Sequence, residues 1–443
     1  MLRETIIYRL LLTNATLLFI LEEREVFAVK RLLCLLLCAL CLCACGKAET
    51  PAPTEPAKPV EKLVPTPMTW ADIEAIPIAN DQMTEDELRQ ICVDFFRLQL
   101  LFQWTPKEDL DFEVTGYKRN SHFSAGQLYA GFPYMCSGTG RMVGNLYIVM
   151  DYYDPETGLL DNTVMDDQAF VERIGNNCSS GAFWGWARVV NSVANHACSS
   201  ATMTFGFIPV GPYDAGDSVY WDKENTTEAV CQANGSQVMF ESYAAMKPAD
   251  GLVFQRSKSG NAHMRMVSQE VVVTRLPDGE IDGKNSYVTY LDQASTTYTP
   301  TIDGQPFVRQ GGLDVRVSFQ SLFNSGYLPF TFAELIGEDP VEQATLVADR
   351  DLSDATLVTL CRTALTCNYS ISHLVLTVET QDGEEVYRYS YYPRENNIRQ
   401  VPLSSVIQRD ELAAYLDGTY RITIAGRVST GELLTVYSGT LTE

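Results

Sequence analysis

Hydrophobic positions in residues 83–106 recur every three to four residues, as on one face of a helix. Thr84 and Glu87 fit a capping box at the start, and Pro106 is the expected end. The apolar face consists of Leu88, Ile91, Cys92 and Phe95. The pattern predicts a core-packed helix in which Cys92 is a small buried side chain.

From residue 251 to 293 the hydrophobic period changes to alternation, which is typical of strands. A short strand, a Ser-Gly-Asn turn and a longer strand starting at His263 are followed by a Pro-Asp-Gly turn and a returning strand through Tyr287 and Tyr290. If this hairpin folds about Asp278-Gly279, paired residue numbers sum to about 557. His263 would then lie opposite residue 294.

The last hundred residues predict a separate β domain, which follows the acidic segment "GEDPVEQ". Four alternating segments, "HLVLTVET", "EVYRYSYY", "TYRITIAGRV" and "LLTVYSGTL", are separated by turn signals at the spacing of a β-sandwich. "DGTYRITI" resembles a strand of immunoglobulin-like modules. We therefore expect an α+β protein, with a larger domain over residues 68–338 and a small all-β sandwich over residues 339–443.

The N-terminus predicts export. "VKRLLCLLLCALCLCACGKAE" has a basic start, a short apolar run and a lipobox that ends at Cys45, the predicted site of lipidation. The apolar run is too short for the alternative, a membrane-spanning anchor. Residues 1–45 thus read as a signal peptide, with translation starting near Val26. A Pro-rich linker over residues 46–67 would tether an extracytoplasmic protein to the bacterial membrane through its lipid.

The amino-acid composition excludes several classes of binding partner. The 443 residues are 46% hydrophobic, which suffices for large cores, and the formal net charge of −23 argues against nucleic acid as a partner. Seven cysteines follow Cys45, so at least one thiol is unpaired, and none has the CxxC spacing of a zinc site. We expect neither a metal nor another cofactor. The sequence makes no prediction of oligomeric state.

Cys178 is the candidate nucleophile because it lies where a polar turn enters an amphipathic helix, and a helix start favours the thiolate. His263 is the candidate base. The predicted register makes Gln293 the first choice for the group that orients the imidazole, with Asp292 as the second. His196 lies about five turns along the helix of Cys178, too far to act as the base. His122 and His373 have no comparable setting.

Four segments in chain order resemble the NlpC family of cell-wall cysteine peptidases. They are "YAGFPYMCSG", "GNNCSSGAFWGWARV", "MKPADGLVF" and "NAHMRMVS". The resemblance covers roughly residues 120–295. It implies a papain-like fold and hydrolysis of an amide in peptidoglycan stem peptides, often the bond after γ-D-glutamate. It also implies that Tyr134 points into the site, where it would help the backbone N–H of Cys178 hold an oxyanion.

The chain departs from the family pattern in ways that leave an alternative open. Asn177 replaces the aspartate before the cysteine, Ser180 replaces a glycine, and the segments are separated by long insertions. The alternative is a catalytically inactive binding or scaffold lipoprotein with the same fold. Trp184 and Trp186 could line a binding groove, although aromatic residues on a helix more often pack in the core. A solute-binding lipoprotein is not indicated, because two lobes of alternating strands and helices are missing from the pattern.

Overall fold

The computed structural model describes residues 69–114, 119–135, 145–191, 206–216, 226–255, 262–299, 301–302, 305–393 and 398–441. The predicted signal peptide, the lipidated Cys45 and the linker lie outside these residues, as do Cys136, His196 and Cys198. Within them the chain is a mixed α+β protein, as the sequence predicted at this coarse level.

The helices of the described residues are α1 (Trp70–Glu74), α2 (Glu85–Leu101), α3 (Asn145–Met150), α4 (Asp167–Ile174), α5 (Cys178–Trp186), α6 (Thr227–Asn234), α7 (Ser236–Ala244), α8 (Phe319–Ser325), α9 (Leu357–Cys361) and α10 (Arg409–Leu412).

The strands up to residue 331 are β1 (Gln103–Pro106), β2 (Leu110–Val114), β3 (Arg119–Phe123), β4 (Tyr129–Ala130), β5 (Leu159–Leu160), β6 (Ile208–Pro209), β7 (Gly251–Gln255), β8 (Ala262–Val267), β9 (Tyr287–Tyr298), β10 (Thr301–Ile302), β11 (Gln305–Pro306), β12 (Val308–Ser318) and β13 (Leu328–Thr331). The later strands are β14 (Leu346–Ala348), β15 (Ala364–Cys367), β16 (Ile371–Glu379), β17 (Glu385–Tyr391), β18 (Gln400–Pro402), β19 (Arg421–Val428) and β20 (Leu433–Gly439).

Helix α2 has the predicted capping box. The Thr84 side chain accepts from the Glu87 N–H, and the Glu87 carboxylate accepts from the Thr84 N–H at 2.8 Å. Cys92 is fully buried on this helix, as predicted. The predicted end was wrong: the helix stops at Leu101, and Pro106 closes the strand β1 that follows. A proline at the end of a short strand removes no hydrogen bond from the interior of a sheet.

A nine-stranded mixed sheet forms the centre of the larger part, in the order β5-β1-β4-β12-β9-β8-β7-β13-β6. The predicted hairpin is present as β8 and β9, with Met266 paired to Leu291 and Val267 paired to Tyr290. This is the predicted register. The Ser-Gly-Asn turn before β8 lies outside the described residues.

Helix α5 packs on α2 and on strands β8 and β9 at short range because two of its residues are glycines. A Cβ atom on Gly181 would come within 2.9 Å of the Phe96 ring, and one on Gly185 would come within 2.7 Å of the Met266 methyl carbon and 2.8 Å of the Cys92 carbonyl oxygen. This close approach brings the start of α5 to the strand that carries the candidate base.

All four predicted C-terminal strands are present and form one antiparallel sheet in the order β17-β16-β19-β20. A second sheet has the order β14-β15-β18 and shares a buried hydrophobic cluster with the first. This part also contains the short helices α9 and α10, so strands alone do not build it.

Among the residues that the structure describes, the buried hydrophobic side chains form two clusters, one from Ile73 to Val341 and the other from Ala344 to Leu441. Tyr147 of α3 connects them. Its ring lies 5.3 Å from the His373 ring and 4.9 Å from the Arg427 guanidinium, and its carbonyl oxygen accepts from the Tyr392 hydroxyl at 2.9 Å. The predicted domain boundary at 338/339 stays a prediction, and it falls near the gap between the clusters.

Candidate active site

Cys178 is the first residue of α5, and the residues around it fix this start. The Asn177 side chain accepts from the Ser180 N–H at 2.9 Å, and the Ser180 hydroxyl accepts from the Asn177 N–H at 2.9 Å. These two bonds form a capping box. The two departures from the family pattern, Asn177 and Ser180, therefore act together to hold the helix start in place.

A buried polar network holds the loop before the cysteine. The Asn176 side-chain amide donates to Gln99 Oε1 at 2.7 Å, and Asn176 Oδ1 accepts from the Ser180 hydroxyl at 2.8 Å and from the Trp184 indole at 3.1 Å. Gln99 in turn donates to the Gly181 carbonyl oxygen at 3.0 Å. Because every group here is buried and partnered, the turn that presents the thiol has little freedom.

The Cys178 thiol is partly exposed and forms no disulfide, and it lies close enough to His263 for each side chain to shift the pKa of the other. Burial of the sulfur raises its pKa. The hydrogen bond and positive charge of His263, with the backbone N–H groups of Met264 and Ser179, outweigh that effect and hold the pKa below its usual value. The site therefore favours the thiolate.

His263 lies on β8 between the thiol and a carboxylate. Its Nε2 is 2.7 Å from Asp292 Oδ2, which leaves Nδ1 for the sulfur. Burial lowers the pKa of His263, but the hydrogen bonds and charges of Asp292 and Cys178 raise it to about 9. Asp292 is only 5% exposed, and although burial raises its pKa, His263 and a neighbouring arginine lower it below its usual value. These shifts favour transfer of the thiol proton to the imidazole, and the carboxylate stabilises the imidazolium that results.

Asp292 is held by strand β12 at an irregularity that needs glycine. The Gly312 N–H donates to Asp292 Oδ1 at 2.8 Å, and a Cβ atom at this position would collide with the same oxygen. Gly311 has a φ of +90°, and the pairing of β12 with β9 shifts register here. Sequence analysis missed this contribution, although the Gly-Gly pair in a strand was a signal for a bulge.

Gln293, the first choice for orienting the imidazole, does not contact it. Opposite residues of an antiparallel pair share a face and neighbours alternate, so His263 and Asp292 lie on one face of the hairpin and Gln293 lies on the other. The Gln293 Cβ packs beside Gly181, and the Gln293 amide donates to the Phe132 carbonyl oxygen at 2.8 Å. The second choice, Asp292, makes the contact.

Tyr134 lies next to the loop that precedes the nucleophile. It forms a parallel bridge with Asn176, and its N–H donates to Gln310 Oε1 at 2.7 Å. The side chain is 6% exposed. A role for its hydroxyl at the oxyanion stays a prediction.

The tryptophans of α5 are core residues. Trp186 is fully buried and donates to the Ala249 carbonyl oxygen at 2.7 Å, and Trp184 is 8% exposed. The other helical cysteines of this part differ from Cys178, because burial raises the pKa of Cys231 to about 12 and that of Cys92 still further.

In the part of the chain that the structure describes, no three histidine, cysteine or carboxylate side chains are close enough together to hold a metal ion. None of the helices there has the length and hydrophobicity needed to cross a membrane.

Comparison of the chain with models of protein families, with curated proteins and with solved structures finds no match. The site geometry and the sequence patterns therefore carry the functional inference.

Proposed function

We propose that this chain is a cysteine hydrolase that cleaves an amide bond in peptidoglycan stem peptides. The observation that carries the proposal is the arrangement of Cys178, His263 and Asp292: the thiol lies at a helix start beside the imidazole, and a carboxylate lies 2.7 Å from the imidazole Nε2. A structural cysteine has no need of a charged imidazole, whereas a nucleophile does.

The proposed reaction begins with the thiolate. Its sulfur attacks the amide carbonyl carbon, and the carbonyl electrons move to the oxygen, which the Cys178 backbone N–H holds with help from Tyr134. The tetrahedral intermediate collapses, the C–N bond breaks, and the imidazolium of His263 protonates the leaving amine. The now neutral imidazole then takes a proton from water, whose oxygen attacks the thioester and releases a carboxylic acid and the thiolate.

Asp292 keeps the imidazole oriented and stabilises its charge throughout these steps. A carboxylate does this more strongly than the amide first expected, because it carries a full negative charge 2.7 Å from Nε2.

The finer parts of the proposal rest on the sequence. Four segments in the order of the NlpC family, and a helix that opens with the cysteine against a sheet that carries the base, support a papain-like fold. The two C-terminal sheets with one shared cluster support a β-sandwich beside it. The lipobox at Cys45 supports a membrane-tethered protein outside the cytoplasm, where peptidoglycan is within reach.

The alternative, an inactive binding lipoprotein, loses one of its two arguments. Asn177 replaces the family's aspartate, but it accepts from the N–H of Ser180 as an aspartate at a helix start would. The long insertions remain as an argument for altered binding.

The test uses the full chain in detergent micelles, with stem peptides released from purified peptidoglycan and products read by mass spectrometry. Wild-type protein should cleave an amide, and Cys178→Ala should abolish cleavage while the fold remains intact. Cys361→Ala is the matched control, because Cys361 is also unpaired and partly exposed. Continued turnover by Cys178→Ala would disprove the mechanism.

Thiol labelling separates the proposal from its alternative. An active site should react with iodoacetamide selectively at Cys178 at neutral pH, because the thiolate is the reactive form. An inactive fold should show no preference for Cys178 over Cys361.

A further inference from the structure

Arg265 lies two residues after His263 on β8, on the same face as His263 and Asp292. Its guanidinium carbon is 4.1 Å from the centre of the Tyr290 ring and 4.5 Å from that of Tyr327. Both rings are largely buried, at 7% and 6% exposure. The aromatic contacts hold the planar guanidinium in one orientation.

The donors of this guanidinium are unused. Nε is buried and has no hydrogen-bond partner, and within the described residues the two Nη atoms, which reach solvent, donate to no protein atom either. The nearest carboxylate oxygen, Asp292 Oδ2, is 3.5 Å from Nε, and that carboxylate already accepts from His263 and Gly312. The Nε–H therefore has only this ion-pair contact, and the four Nη–H groups are held rigidly with no acceptor among the described residues.

The ion pair with Asp292 offsets only part of the cost of burying this arginine, because it leaves the two Nη atoms without an acceptor. The side chain is only 17% exposed, so most of its hydration is lost on folding. A methionine or leucine would pack against the two tyrosines without that cost. The energetic balance points to a ligand that arrives from solvent and supplies the missing acceptors.

The position of the Arg265 guanidinium relative to Cys178 indicates where that ligand would lie. Alternate residues of a strand are about 7 Å apart, so the guanidinium is within one amino acid's reach of the His263 side chain and its thiol partner. Tyr327, which contacts Arg265, is also close enough to Cys178 for the charge of the thiolate to raise the pKa of the tyrosine. A group bound to Arg265 would therefore belong to the residue beside the scissile amide.

We propose that Arg265 is the specificity residue of this site and binds a free carboxylate of the substrate on the residue adjacent to the scissile amide. The guanidinium fork matches a carboxylate with two parallel N–H···O bonds. This inference rests on the proposed hydrolase function and adds a substrate class to it: peptides with an unamidated acidic group at the cleavage point.

The first experiment compares two substrates that differ only in that group, again with the full chain in detergent. One is a stem peptide with free carboxylates and the other is the same peptide with its carboxylates converted to carboxamides. Arg265→Met should lower kcat/KM about 100-fold for the free peptide, because a bidentate charged contact is lost. The loss for the amidated peptide should be much smaller, because there only the ion pair of Arg265 with Asp292 is removed.

A matched control and a conservative variant keep this result interpretable. Arg316→Met removes another arginine that stacks on a tyrosine, Tyr287 at 4.8 Å, and should behave as wild type. Arg265→Lys keeps the charge without the fork and should recover part of the preference for the free peptide. An equal loss on both peptides would overturn the inference, since it would indicate a structural role.

A second experiment needs no turnover. Iodoacetate carries a carboxylate and iodoacetamide does not. The rate of Cys178 alkylation by iodoacetate divided by the rate with iodoacetamide therefore measures binding of the carboxylate near the thiol. The ratio should fall about tenfold in Arg265→Met and stay unchanged in Arg316→Met. An unchanged ratio in Arg265→Met overturns the carboxylate site even if peptides are hydrolysed. A reduced ratio without hydrolysis of any peptide retains the site and rejects the proposed function.

Discussion

His263 and His373 both lie on strands that have a neighbour on each side, and both are largely shielded from water, yet their surroundings drive the imidazole in opposite directions. Hydrogen bonds to Asp292 and Cys178 raise the pKa of His263 to about 9. Burial, with the positive charges of Arg427 and Arg388, lowers the pKa of His373 to about 3. One ring is a cation at neutral pH and the other is neutral.

The difference comes from the partners, since burial disfavours the charged ring at both positions. The His373 ring contacts the rings of Tyr147 and Tyr392 at 5.3 Å each, and its Nδ1 is buried without a hydrogen-bond partner. No carboxylate contributes to its pKa. A strand histidine becomes a catalytic candidate here only where the neighbouring strand supplies an acid on the same face.

Among the variants considered, Asp292→Asn should most reduce the difference between the pKa values of His263 and His373. Removing the charge should lower turnover about 10²-fold, because the imidazolium loses its stabilising carboxylate. Wild-type activity should fall as pH rises through about 9, where His263 loses its proton. The variant's alkaline limit should lie at lower pH, which a pH profile of kcat/KM measures.

Gln293→Leu is the control for that variant. It removes the buried bond to Phe132 and should lower the melting temperature, but its pH profile should match that of wild type. A shifted profile in Gln293→Leu together with an unshifted one in Asp292→Asn would reverse the assignment of the orienting residue.

Gly312→Ala should have a smaller effect of the same kind. The new methyl group collides with the Asp292 carboxylate, so the acid must move and turnover should fall about tenfold. In the Asp292→Asn background the same change should cost much less, because the charged contact is already lost. Additive losses in the double variant would show that Gly312 acts elsewhere.

His373→Phe should have the smallest effect, and on stability alone. The pKa of His373 is about 3 in the folded chain against an ordinary 6.5, so its stabilising effect is complete above pH 6.5 and is lost as pH falls toward 3. Wild type should lose stability in that window, and the variant should lose less, melting about 2–4 °C higher than wild type at pH 5. Thermal unfolding at pH 5 and pH 7 measures this, and identical acid-side losses would contradict the assignment.

The sequence was most informative where local patterns decide structure. The capping box of α2, the register of β8 with β9 and the four C-terminal strands all follow from residue spacing. The same register also predicts which residue orients the imidazole of His263. A residue opposite position 294 shares its face with Asp292 and not with Gln293, so strand alternation would have reversed the order of the two choices.

Other features depend on contacts between distant segments, which spacing does not encode. Strand β12 lies between β4 and β9, and sequence analysis made no prediction for it. The hydrogen bonds from Gly312 to Asp292 and from Asn176 to Gln99 follow from this long-range packing. Pro106 was misread because a helix stop and a strand end have the same local appearance.

Tyr147 has a consequence for how the two halves of the chain can be separated. The Tyr147 ring contacts His373 and Arg427, and the Tyr147 backbone carbonyl oxygen accepts from the Tyr392 hydroxyl. Cutting the chain near residue 341 would leave this aromatic ring and its former neighbours facing water. The C-terminal strands should therefore not behave as an independent domain, and thermal unfolding should be cooperative across both clusters. Expressing either half alone would require its contact surface to be redesigned.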